Sequence, residues 1–194
     1  MAMAFDTQDE ISDEALLVLF ANGDPQAAQA LTMAHMPRVF SHAYRVLGDR
    51  AEAEDVAQEA MMRLWTIAPQ WRAGEAKVST WLYRVVANLC TDRLRKTRAV
   101  GLDAAAQAVD PAATAVQSMT EQDRAAALDA ALLELPERQR QAVILRHIEQ
   151  LANPEIAQIM GISAEAVESL TARGKRNLAA ILQGRRAELG YDDD

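Results

Sequence analysis

The chain has 194 residues, half of them apolar and only 5% aromatic, with 28 acidic against 20 basic side chains and a formal charge of −8. That acidity argues against a free-standing, nonspecific coater of DNA, which is usually basic, but not against a reader whose cations are local or one that meets DNA inside a larger complex. A single cysteine, Cys90, rules out an intramolecular disulfide framework and a cysteine-rich zinc site, no run reaches the roughly 18 apolar residues of a membrane span, and the start lacks the features of a signal peptide, so a soluble, cytoplasmic protein is expected.

Helix formers fill nearly every window, and β-branched or aromatic runs are few, so an all-α fold is predicted. The first helix starts after Ser12 as N-cap, with Asp13 and Glu14 in its first turn, and Gly23 ends it. A second runs from Pro25, behind Asp24, to Leu47, where Gly48 closes it. Pro37 falls inside that pattern and predicts a kink or a break. His35 and His42 share a helical face and read as surface or packing residues. They would suit a metal only if other ligands joined them.

The third helix, Arg50 to about Ala68, carries an apolar stripe of Val56, Ala60, Leu64 and Ile67. Asp55, Gln58, Glu59 and Met62 lie on an adjoining face, which by itself reads as a solvated surface with carboxylates near the helix start. After a loop bearing Trp71 and Lys77, a fourth helix begins near Thr80. Leu82, Val85, Val86 and Leu89 point to its core side. Arg84, Asn88, Thr91, Arg95 and Arg98 follow one another at offsets of four, three, four and three on the opposite side. Such a face can donate to phosphates and read an adenine edge through Asn88. Trp81 at its margin could stack on an unpaired base. Cys90 lies off this face and reads as a small packing residue.

Residues 99–120 are Ala-rich, interrupted by Gly101 and Pro111, and read as a flexible linker. Fully extended, such a segment could span roughly 70 Å. Two small helical domains are therefore expected, at 10–98 and 121–186. The second opens with a helix from Glu121 to Leu135, then one starting at Pro136 with Val143, Ile144 and Ile148 inward. Asn153 as cap, Pro154 at the first helical position, Ile156, Ala157 and Met160 inward, Gly161 at the turn, Ile162 in the corner and Ser163 as the next cap together predict a helix-turn-helix. Its second helix would enter a major groove.

The segments DRAEAEDVAQEAMMRLW, STWLYRVVANLCTDRLRK and LPERQRQAVILRHIEQLANPEIAQIMGISAEAVESL resemble, in that order, the extracytoplasmic-function (ECF) sigma factors, dissociable promoter-recognition subunits of bacterial RNA polymerase. The resemblance covers nearly the whole chain. It implies that Asp55, Gln58, Glu59 and Met62 dock on the polymerase core, against the solvated-face reading. It implies that Lys77, Trp81, Arg84, Asn88, Thr91 and Arg95 bind the melted −10 element. It gives the helix-turn-helix the −35 element, with Glu165, Glu168, Ser169, Ala172, Arg173, Lys175 and Arg176 as contact positions. An anti-sigma factor is an implied partner, and no catalytic residue, metal or cofactor is implied. Glu168 and Leu170 stand where the family usually has basic residues, and Thr171 and Gly174 where Leu and Ala usually pack. Fewer cations should weaken phosphate anchoring, and Gly174 should cost the helix about 1 kcal/mol relative to Ala. Two other readings remain: a sigma-like mimic that sequesters an anti-sigma factor, and a stand-alone helix-turn-helix regulator.

Overall fold

A computed structural model describes residues 11–72, 74, 76–101 and 121–184. Among these the regular structure is wholly helical, in the order α1 (Asp13–Ala21), α2 (Pro25–Leu47), α3 (Arg50–Ile67), α4 (Val78–Gly101), α5 (Glu121–Leu133), α6 (Glu137–Val143), α7 (Asn153–Met160) and α8 (Ala164–Gly184). A single 3-10 turn, Ala68–Gln70, follows α3, and a π-helical stretch, Ile144–Ile148, continues α6. Most of the expected linker lies outside the described residues.

The boundaries follow the capping chemistry. Ser12 Oγ accepts from Ala15 N–H, Asp24 from Gln26 N–H and Asp49 from Glu52 N–H; each satisfies one of the amides a helix start leaves open. Gly48 ends α2 in the left-handed region at φ 74°. Pro37 does not break α2. It removes the amide that would bond the Met33 carbonyl, but Met33 is 71% exposed, so water can donate to that carbonyl instead. At α7 the cap is Ala152, not Asn153, which is the first helical residue. The start is held instead by Glu155, whose carboxylate accepts from Ala152 N–H at 3.1 Å. The outcome is the reciprocal half of a capping box.

Helices α1 to α4 wrap a core around Leu17, Leu31, Val46, Leu64, Leu82 and Val86, all essentially inaccessible. His35 and His42 are both buried in it. Helices α5 to α8 form the second unit, and α7, Gly161 (φ 62°) and α8 make the helix-turn-helix, with Ser163 accepting from Ala166 N–H. Ile159 joins Ile156 as the buried residue of α7, while Ala157 and Met160 are half-buried.

The two units pack together. Leu132, Leu135, Val143 and Ile144 join the same buried cluster as the first unit's core. Tyr83 and Ala87 of α4 form a second cluster with Leu145, Ile156, Ile159 and Val167. Arg140 crosses the seam: it donates to the Val46 carbonyl at the end of α2, and to the Leu133 and Leu135 carbonyls at 3.0 and 3.2 Å. Carbonyls at helix C-termini lack internal donors and sit at the negative dipole end, which suits the two terminal nitrogens of this buried guanidinium, while its Nε has no partner among the described residues.

Candidate functional site

Three surfaces carry the predicted residues. On α3, Asp55, Gln58 and Met62 are exposed, Met62 at 67%, and Glu59 is half-buried. Their carboxylates are organised by a residue the sequence reading missed. Arg93 of α4 donates to Glu52 and lies 3.9 Å from Asp55 and 3.6 Å from Glu59. Arg63 adds a 2.6 Å contact to Glu59 from one turn on. Arg93 is held even more firmly protonated, chiefly by its hydrogen bond to Glu52. Its spacing from the basic residues of α4 gives no hint of this; only the α3–α4 crossing brings it to the acidic face.

On α4, Arg84, Asn88, Thr91, Arg95 and Arg98 are all exposed, as their spacing predicted, and Leu82, Val86 and Leu89 are buried. Val85 is only half-buried. Arg84 and Asn88 face outward together, one turn apart. Arg95 pairs with Asp92 at 2.9 Å. Trp81 is half-buried and meets Trp71 edge-on, with ring centroids 6.0 Å apart and planes at 81°. The Trp71 ring thus braces Trp81 from within. Cys90 is fully buried, and burial pushes its thiol up to about 12, which keeps it an unreactive packing group.

Three members of the predicted basic surface are not free. Lys77 Nζ lies 3.1 Å from Glu155 of α7, Thr91 Oγ1 accepts from Gln141 at 3.2 Å, and Arg98 lies 2.7 Å from Glu137. Tyr83, beside them, donates its hydroxyl to Glu149, and its own ionisation is pushed up by burial and by that acceptor. The polar face of α4 is therefore split between groups open to solvent and groups held by the second unit.

On α8, Glu165, Glu168, Ser169, Ala172, Arg173, Lys175 and Arg176 are all exposed. Arg173 folds back on Ser169, donating to its carbonyl and hydroxyl at 3.2 and 3.1 Å. Val167 and Gly174 are the buried positions of this helix. Glu165 is held below the usual carboxylate range by its own backbone amide and by Ser163 at the helix start. Among the described residues, no group of three or more His, Cys, Asp or Glu could hold a metal ion, and no helix is long and apolar enough to cross a membrane.

Comparison with known proteins decides what these surfaces belong to. The family described as Sigma-70 region 2 matches residues 31–100, and that described as Sigma-70, region 4 matches residues 125–178. The ECF RNA polymerase sigma factor SigM of Mycobacterium tuberculosis is 32% identical over 181 residues, spanning 93% of this chain and 90% of the relative. The chain belongs to the ECF sigma factors. SigW of Bacillus subtilis, another ECF sigma factor, is 29% identical over 172 residues, 83% of this chain and 91% of its own. The fold agrees with that of the sigma factor RpoE of Bartonella quintana, solved with the anti-sigma factor NepR, at a TM-score of 0.66 and 22% identity over 80% of this chain and 96% of that one. CnrH, solved with the cytosolic domain of CnrY, gives 0.65 and 24% over 89% and 97%. In this ECF sigma factor the α3 and α4 surfaces fall in region 2 and the helix-turn-helix in region 4.

Proposed function

We propose that the chain directs core RNA polymerase to a set of promoters through three surfaces with separate tasks. Asp55, Gln58, Glu59 and Met62 of α3 meet the polymerase core. Lys77, Trp81, Arg84, Asn88, Thr91 and Arg95 take the opened −10 strand. The exposed side of α8, from Glu165 to Arg176, reads the −35 duplex. The domains follow this division at about 10–98 and 121–186, with 99–120 as the connection between them. The observation that carries the reading is the outward pair Arg84 and Asn88 beside the braced Trp81 ring, a phosphate donor, a base-edge reader and a stacking platform on one helix.

The protein has no chemistry of its own to perform and works in the cytoplasm, where the polymerase is. Strand opening is a binding effect: lost stacking is offset by contacts that only the unpaired strand can make. An anti-sigma factor holds it in reserve; the similarly folded sigma factor RpoE of Bartonella quintana was solved bound to one, NepR. The test is reconstitution with core polymerase on genomic DNA, followed by sequencing of the transcripts' 5′ ends. Wild-type protein gives a discrete set of starts. Asp55→Ala with Glu59→Ala loses core binding, whereas Asn88→Ala keeps it and changes which −10 sequences are used. A chain that yields no specific starts with any bacterial core overturns the proposal.

A further inference from the structure

We propose that Glu168 sets base preference in the −35 element, its carboxylate accepting from the exocyclic amino group of a cytosine in the major groove. This rests on the reading of α8 as the −35 helix. Val167 and Gly174 are the buried positions of α8 and fix which side packs inward. Glu165, Glu168, Ser169, Ala172 and Arg173 are exposed on the remaining surface. In a helix-turn-helix it is the N-terminal residues of the second helix that contact base edges, so these side chains hold the reading positions.

Of that set, Glu168 is the one left uncommitted at full length. The first basic residue of α8 is Arg173. Its guanidinium is turned back on Ser169, donating to the carbonyl and the hydroxyl at 3.2 and 3.1 Å. Glu165 is turned to the helix start, where its own amide and Ser163 hold its carboxyl below the usual range. Glu168 has no hydrogen bond or ion pair with another described residue. The residues four positions to either side of it, Ala164 and Ala172, end in methyl groups. No long side chain therefore flanks this carboxylate along its row of the helix.

The chemistry of the major groove then selects the base. Guanine shows two acceptors there, thymine an acceptor beside a methyl, and adenine a donor beside the N7 acceptor. Each sets a lone pair or a methyl against a carboxylate. Cytosine shows only its amino donor. A carboxylate accepts and has nothing to donate, so cytosine is the matched base. Phosphates repel the same group, which disfavours any register that sets Glu168 against the backbone. Lys175 and Arg176, exposed further along α8, are left to hold the backbone.

The test uses the protein bound to core polymerase and a duplex promoter with its −35 region randomised, the promoter being taken from mapped transcript starts. Sequencing the bound fraction against the input gives the preference at each position. The wild-type complex is expected to favour a C·G pair about ten-fold at one position. Glu168→Ala is expected to bring that preference within about two-fold of none and to leave the other positions as they are. Glu168→Gln is expected to move the same position to an A·T pair, since Gln bonds adenine at N6 and N7. Glu168 is exposed and both replacements suit a helix; circular dichroism checks that each variant keeps its helical content. Unchanged profiles in both variants overturn the proposal and leave the α8 reading standing. So does a wild-type profile that favours no C·G pair at the position the variants alter. If the wild-type complex shows no preference anywhere in the −35 region, the α8 reading itself fails, and the proposal with it.

Discussion

Gly174 stands midway along α8, where helix propensity alone marks it as a weakness. A Cβ there would lie 2.6 Å from Val143 Cγ2 and 3.2 Å from the Gln139 carbonyl oxygen of α6. Real Cβ atoms do not approach so closely, and Val143 is itself buried with a short, stiff side chain. The expected cost of the glycine is thus reversed in context: it lets α6 and α8 meet. Gly174→Ala should gain up to about 1 kcal/mol in propensity yet lose about 1–3 kcal/mol to overpacking. Thermal denaturation should show a lower midpoint, and a raised midpoint would sink this account. Thr171, three residues earlier, carries a buried hydroxyl with no hydrogen-bond partner among the described residues. Both departures from the usual sigma-factor pattern thus lie on the packed side of α8. Glu168, by contrast, is exposed, so that departure touches no packing.

At the scale of elements, most of the fold could be read directly from the sequence. Ser12, Asp24, Gly48 and Ser163 mark helix ends through local chemistry, and the structure places them at those ends. The alternation on α4 was equally legible, because burial of Leu82, Val86 and Leu89 leaves the opposite offsets outside. Asn153 was misread as the cap because the rule is local, and the Glu155 carboxylate met the need differently. Helix α2 also carries a titration. His42 is wholly buried against the Tyr83 ring, with centroids 5.3 Å apart, and neither ring nitrogen has a partner among the described residues. Burial, helped by Arg45, lowers its ionisation to about 4. The folded chain keeps it neutral while an unfolded chain takes a proton near 6.5. Between about pH 6.5 and 4 the unfolded state binds more protons, so stability declines as pH falls through that window, by up to about 3 kcal/mol. His147 is lowered too, so the wild-type curve alone does not isolate His42. Melting of His42→Leu at pH 7 and pH 5 should show a smaller drop than wild type; an equal drop would assign the effect elsewhere.

For the whole molecule, the relation between the two units was the part the sequence did not reveal. Arg98 and Glu137 are separated by the linker, and Lys77 and Glu155 by 78 positions. No periodicity or cap links such residues, and on their own segments each reads as an ordinary exposed charge. Arg93 was hidden in the same way, one basic residue among several until the crossing of α3 and α4 set it among Glu52, Asp55 and Glu59. Because Leu132, Leu135, Val143 and Ile144 share a cluster with the first unit's core, the chain should unfold calorimetrically as one transition at low ionic strength. Salt screens only the exposed end pairs, so about 0.5 M salt should leave the single transition in place. Two transitions at every salt concentration would mean that the units fold without regard to each other.

Arg140 sets the character of the seam between the two units. Its guanidinium gathers carbonyls from the ends of α2 and α5, and burial lowers its hold on its proton without neutralising it. When the units part, water can hydrate both the released Val46 carbonyl and the Arg140 cation, so no polar group is stranded. Parting would exchange hydrogen-bond partners at Arg140 but would also expose the apolar cluster that the two units share.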